Sequence, residues 1–183
     1  LAARNPRRAD LAGIVDWRLA ELDRLGVALR LNTFADGDLI RELQPDVVVL
    51  ATGGFARIPD IEGADQVVST WDVLSGAVTP AGEVLLYDDH GRHSSLSAAE
   101  LIARSGANLE IITPERTLGA DVGGMNHVPY ARAFNETETR ITLNQRVTAV
   151  RPEHGRLCAE IGSDHTDHRT VRHVDWVVAD QGT

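Results

Sequence analysis

The stretch from Glu83 to Thr113, EVLLYDDHGRHSSLSAAELIARSGANLEIIT, constrains the fold of this chain more than any other. EVLLYD and NLEIIT are short apolar runs rich in strand formers, and Ser94 to Ser105 between them reads as a helix with Gly106 placed to end it. A strand, a sharp turn, a Ser-capped helix and a second strand within so few residues make a minimal βαβ unit, whose two strands must lie parallel. Parallel strands are buried on both faces. The expected class is therefore α/β: a Rossmann-like, three-layer parallel sheet with helices on both faces.

The flanking segments repeat this grammar. PDVVVLATGG, ending at Gly54, and VDWVVADQGT, at residues 174–183, both carry an acidic residue, a valine-rich strand, Ala, and Gly three residues later. Each half of the chain is thus expected to close on a parallel strand that runs into a glycine turn. Val47 to Leu50 reads as a strand buried on both faces, and the opening strand of the first half should lie upstream of Leu1. Before it, Asp10 is a good N-cap for a helix with apolar residues at Leu11, Ile14, Val15, Leu22 and Leu25, closed by Gly26. VALRLN reads as an alternating strand, and LIREL as a helical turn stopped by Pro45. Beyond the βαβ unit follow a glycine-rich turn, LGADVGGMN, and a helix through HVPYARAFNE. RITLN, RVTAVRPE and RLCAEIG then read as three short strands of an antiparallel β excursion. Two domains are expected: residues 1–79, an incomplete second Rossmann-like domain with its linker, and residues 80–183.

Composition removes several chemistries. All 18 basic residues are Arg, so no lysine Schiff base and no P-loop lysine is available. The net charge of −9 argues against a nucleic-acid partner. No apolar run approaches the roughly 18 residues needed to cross a bilayer, and a cytoplasmic location is expected. The single Cys158 excludes an internal disulfide framework, any Cys-based zinc site, and an iron–sulfur cluster held by this chain alone.

The turn after EVLLYD carries the main chemical question. A dinucleotide-binding G-x-G-x-x-G turn would place glycines at positions 88, 90 and 93, which are Asp88, His90 and His93. Only Gly91 is glycine, at a position the fingerprint leaves free. His90 would stand where a pyrophosphate approaches, and Asp88 and Asp89 bring negative charge to the same corner. A carboxylate about 4 Å from a phosphate costs on the order of 4 kcal/mol at an effective dielectric of about 20, more than one helix N-terminus returns. The expectation is a Rossmann fold without a conventional dinucleotide.

The order helix, VVLATGG, IPDIEGAD, WDVL and a second strand-turn-helix resembles the paired nucleotide-binding domains at the C-terminal end of NADH:flavin oxidoreductases that carry an old-yellow-enzyme-like barrel. Within that group it is similar to the trimethylamine dehydrogenase, 2,4-dienoyl-CoA reductase and N-methylproline demethylase branch. YDDHGRHSSLSAAELIARSG and TPERTLGADVGGMNHVPYARAF look most like its demethylase-type members. The resemblance implies a fragment of a flavin-dependent oxidoreductase. FMN and a 4Fe-4S cluster would sit in an upstream barrel, FAD or ADP in the first domain, and NAD(P)H in the second is doubtful. It also implies Thr52, Gly53 and Gly54 as cofactor-binding residues, because this segment passes close to the adenine nucleotide in the relatives. The first domain's glycine fingerprint and ribose-binding acid are absent from this sequence.

Other residues have blander readings. Asp88, Asp89, His90 and His93 offer metal donors, as does HTDH at residues 165–168, but a cap and solvated loops explain them. Ser97 and Glu100 have capping-box spacing. Glu115 and Arg116 stand where a ribose- or phosphate-binding residue would, and read as exposed loop charges. Trp17, Trp71 and Trp176 read as packing residues, and Cys158 as a buried, inert thiol. Three functions remain open: a non-catalytic part of the oxidoreductase, partnered by the rest of the parent flavoprotein; a docking module for an oligomer or an electron-transfer protein; or an NAD(P)H domain with an unorthodox phosphate turn.

Overall fold

A computed structural model describes all 183 residues. The chain divides into two compact units, Asp10–Gly54 and Leu1–Ala9 with Phe55–Thr183. The smaller unit holds helices α1 (Ala12–Arg24) and α2 (Gly37–Leu43). The larger holds α3 (Thr70–Ser75), α4 (His93–Arg104) and α5 (Gly124–Glu136). Its strands are β1 (Val68–Ser69), β2 (Glu83–Asp88), β3 (Asn108–Ile112), β4 (Arg140–Thr142), β5 (Arg146–Glu153), β6 (Arg156–Ser163), β7 (Thr166–Val174) and β8 (Trp176–Asp180).

In the larger unit, five strands form a parallel sheet in the order β1-β8-β2-β3-β4. The βαβ unit read from the sequence is there: β2 and β3 pair in parallel from Glu83↔Asn108 to Tyr87↔Ile112. Side-chain alternation then splits the core. Val84, Leu86, Leu109, Ile111 and Val178 pack with residues of α3, α4 and α5. Leu85, Tyr87, Ile112, Val177 and Ala179 point the other way, onto Val147, Val150, Ala159, Ile161 and Val174 of the antiparallel sheet β5-β6-β7. Each fully buried aliphatic side chain contributes about 1.5–3 kcal/mol.

The α/β class, the parallel sheet and the antiparallel excursion are as expected. The cover of the second face differs: the antiparallel sheet, rather than helices, lies there. A half-buried ion pair ties the two sheets, with Arg172 of β7 donating to Glu110 of β3 at 2.8 Å and Thr142 of β4 donating at 2.7 Å. Burial raises the Glu110 pKa, but these donors outweigh it and hold the carboxyl below its ordinary range. Arg140 of RITLN pairs with Glu110 across the parallel sheet, so that segment is a parallel edge strand and no part of the excursion. The third antiparallel strand is β7, which contains most of the HTDH segment read as loop. Its polar residues face outward on a sheet edge, where periodicity is too weak to mark a strand.

The smaller unit departs furthest from expectation. Neither VALRLN nor Val47–Leu50 forms a strand, and Val47, Val49 and Leu50 are 75%, 81% and 85% exposed. A strand exists only where a neighbour accepts its ladder bonds, and this unit contains no other strand. Both helices form. Asp36 caps α2, accepting from the amides of Asp38 and Leu39. Asp10 does not cap α1, because the chain is already in a 3₁₀ helix from Pro6 to Leu11. No residue of Asp10–Gly54 is buried, and Trp17, read as a packing residue, is exposed. No helix is long and apolar enough to cross a membrane.

Candidate functional site

In an open α/β sheet, ligands bind outside the carboxyl ends of the strands, where neighbouring connections diverge. Here that place lies between β2 and β8, which pair in register as far as Asp88↔Asp180. Both aspartates are buried, 0% and 3% exposed. Asp88 accepts the backbone N–H of Gly91 at 2.8 Å and of His90 at 3.2 Å through Oδ1. Asp180 accepts the N–H of Gly182 at 3.0 Å through Oδ1. Each aspartate thus tightens the turn by which its own strand leaves the sheet. Neither Oδ2 has a hydrogen-bond partner. Burial drives the pKa of Asp88 up; the two amides oppose it, and the neighbouring Asp180 adds to the rise.

The mouth between the strands is occupied by the chain itself. The His90 ring lies against Gly182, where a Cβ would come 2.6 Å from its Cε1. The Asp89 N–H donates to the Asp180 carbonyl at 3.0 Å, and Gln181 donates to the Asp89 carboxylate at 3.3 Å. The loop after β3 closes from the other side: Asp121 N–H donates to the Gly91 carbonyl at 3.0 Å. Gly91 has a φ of +68°, and a Cβ there would meet the Ala120 nitrogen at 3.2 Å. Its glycine therefore serves a turn packed on protein. The reading of a turn filled by side chains and negative charge stands on these contacts, with one revision. Asp88 braces the loop ahead of α4, and α4 starts at His93 with Arg92 as N-cap and no side-chain cap, Ser94 included.

Beside the end of β8 lies a cleft of about 700 Å³ lined by Phe55, Arg57, Ile58, Val67, Val68, Trp71 and Ala179. Arg57 N–H donates to the Gly182 carbonyl at 2.9 Å and holds one wall to the crevice. Thr52, Gly53 and Gly54 lie in exposed, irregular chain of the smaller unit; Gly53 has a φ of +72°, with nothing within 4 Å of an added Cβ. Glu115 and Arg116 are exposed, as expected. The Asp88–His93 side chains and His165 and His168 form no group of converging metal donors.

One polar cluster was not anticipated. Ser97 and Glu100, spaced as a capping box, are interior residues of α4 and bond outward. Glu100, 3% exposed, receives Asn5 Nδ2, and Arg7 donates to it at 2.8 Å. Burial raises the Glu100 pKa, and the Arg7 and Asn5 hydrogen bonds overcome it to set it below its ordinary range. The buried Tyr130 hydroxyl meets Ser97 Oγ at 2.8 Å, His93 Nδ1 at 3.2 Å and Arg8, which donates at 3.2 Å, while the Arg7 guanidinium stacks 4.5 Å from its ring centre. Burial, then Arg8 and Arg7, lower the His93 pKa. The first nine residues are pinned to α4 and α5 in this way. The available signal was an acid in the middle of a helix face otherwise made of Ala99, Ile102 and Ala103.

No family model matches the chain. It is 40% identical, over 100% of its length, to a probable N-methylproline demethylase of Rhizobium meliloti (strain 1021). It is 41% identical, again over 100% of its length, to an N,N-dimethylglycine/sarcosine dehydrogenase of Chromohalobacter salexigens. In both cases it spans 27% of the relative. Among solved structures, a 2-naphthoyl-CoA reductase complex superposes with a TM-score of 0.84 at 27% identity, covering 99% of this chain and 27% of that one. Over its whole length, then, the chain is homologous to the C-terminal part of NADH:flavin oxidoreductase-like proteins, the family its motifs resemble.

Proposed function

We propose that this chain is the C-terminal, nucleotide-fold part of a flavin-dependent oxidoreductase acting on an N-methylated amine, and that residues 80–183 serve it as a scaffold without NAD(P)H. The observation that carries this reading is the crevice between β2 and β8. Asp88, His90 and His93 stand at the positions of the glycines that would receive a diphosphate, and Asp180 at the end of β8 brings a second buried carboxylate beside Asp88. An enzyme with no seat there for a nicotinamide coenzyme draws electrons from its substrate and passes them to another acceptor, such as an electron-transfer protein. That matches the amine-oxidising names of the relatives sharing 40% and 41% identity.

The remaining groups divide by fit. A 4Fe-4S cluster needs several thiolates and this chain has one, so the cluster belongs to the rest of the parent flavoprotein, and the family resemblance assigns FMN to the same upstream part. Residues 1–79 would complete an FAD- or ADP-binding domain there, and the open, positive-φ backbone at Gly53 suits close approach of a nucleotide beside Thr52 and Gly54. Exposed Val47, Val49 and Leu50 would pair with strands of that parent and be covered by it. A cytoplasmic location accompanies this assignment.

The test is to express the longer gene product and assay it with sarcosine, dimethylglycine and N-methylproline. The expected result is reduction of an artificial electron acceptor by at least one of them, with no oxidation of NADH or NADPH. Oxidation of NADPH with no amine turnover would replace this reading with that of a reductase.

A further inference from the structure

We propose that the outer face of the antiparallel sheet carries a divalent-metal site of the zinc type, formed by Glu153, Cys158 and His173. Strand register brings them together. Cys158 lies directly opposite His173 in the β6–β7 pair, and Glu153 stands on β5 two residues beyond Arg151, the partner of Cys158. The carboxylate, thiol and imidazole donor atoms all lie within 4.8 Å of one another, and His173 Nδ1 is 3.5 Å from Glu153 Oε2.

A tetrahedral zinc ion, about 2.3 Å from sulfur and about 2.0–2.1 Å from nitrogen and oxygen, separates its ligands by about 3.3–3.6 Å. The Glu153–His173 gap already has that size, and Cys158 needs to move by no more than about 1.2 Å, a side-chain adjustment. The backbone beneath is held: Ala159 and Ile161, on the opposite face of β6, are buried in the core. The neighbouring cations on this face are engaged elsewhere, Arg151 with Glu62 at 2.7 Å and Arg156 with Asp175 at 2.9 Å. A thiolate, an imidazole and a carboxylate select a borderline-soft ion over Mg²⁺ or Ca²⁺, and three protein ligands leave a fourth position for water or another ligand. One cysteine cannot build a zinc site from thiolates alone; in the proposed site sheet pairing supplies the other donors.

The experiment titrates the full, reduced chain with Co²⁺ and Zn²⁺. The expected result is one ion per chain, with a thiolate-to-Co²⁺ charge-transfer band. Cys158→Ser should abolish the band, and Glu153→Gln and His173→Ala should each weaken binding by roughly tenfold or more. His165→Ala should leave it unchanged. In the unmodified protein, Zn²⁺ should slow alkylation of Cys158 by iodoacetamide, a readout that needs no variant. Absence of the band, binding by Cys158→Ser equal to the wild type, or displacement of Co²⁺ by Mg²⁺ would overturn the proposal.

Discussion

Asp88 and Asp180 stand side by side at the ends of two parallel strands, each with one carboxylate oxygen satisfied and one without a partner. For Asp88 burial outweighs the amide donors and raises the carboxyl's pKa above its ordinary value. A carboxyl whose pKa is higher folded than unfolded stabilises the fold fully below the unfolded value. That contribution is lost as pH rises through the folded one. The chain should therefore lose stability on the alkaline side of the ordinary aspartate range, and Asp180→Asn, which removes the neighbouring charge, should reduce the loss. Melting temperatures of both proteins across pH would show it; an unchanged difference between them would mean that the two carboxyls do not interact. Glu100 and Glu110 act in the opposite sense, since their lowered pKa values withdraw stability as pH falls, which is why the comparison must be made between variants. Tyr130→Phe should cost about 1–3 kcal/mol in chemical denaturation, because it strips a shared partner from Ser97, His93 and Arg8.

At the scale of elements, two segments with one pattern meet opposite fates. VDWVVADQGT becomes β8, with Val177 and Val178 at 1% and 0% exposure, because β1 and β2 flank it. PDVVVLATGG has no neighbouring strand and stays irregular and exposed. A valine run records a propensity and a demand for burial; the ladder comes from elsewhere in the chain. Hydrogen exchange should therefore be fast at Val47–Leu50 and slow at Val177–Ala179, and the first set should become protected in the longer gene product. Leu86→Ala should cost about 2–5 kcal/mol, whereas Val49→Ala should change stability by no more than about 0.5 kcal/mol. The same dependence on context explains what was legible. EVLLYD, NLEIIT and the helix between them are locally consistent and form where they were read, the helix starting one residue earlier and without a Ser cap. RITLN and the HTDH strand carry no periodicity that says which sheet they join, and their places follow from pairing with β3 and β6.

For the molecule as a whole, the missing glycines at 88, 90 and 93 announced a turn that does not follow the dinucleotide pattern. That much of the candidate site was legible because the fingerprint is local. Its partners were not: Asp180, Gly182 and Asp121 reach the turn from distant parts of the chain, as do Asn5, Arg7 and Arg8 reaching α4 and Tyr130. Together they fill the crevice between β2 and β8 with the chain's own groups, and the proposed scaffold role depends on its staying filled. The most direct measurement follows the backbone amide NMR signals of Asp89 to His93 during titration with NADPH. The account predicts no saturable shift at Gly91, Arg92 or His93 up to millimolar coenzyme. Saturable shifts centred on those amides would contradict it.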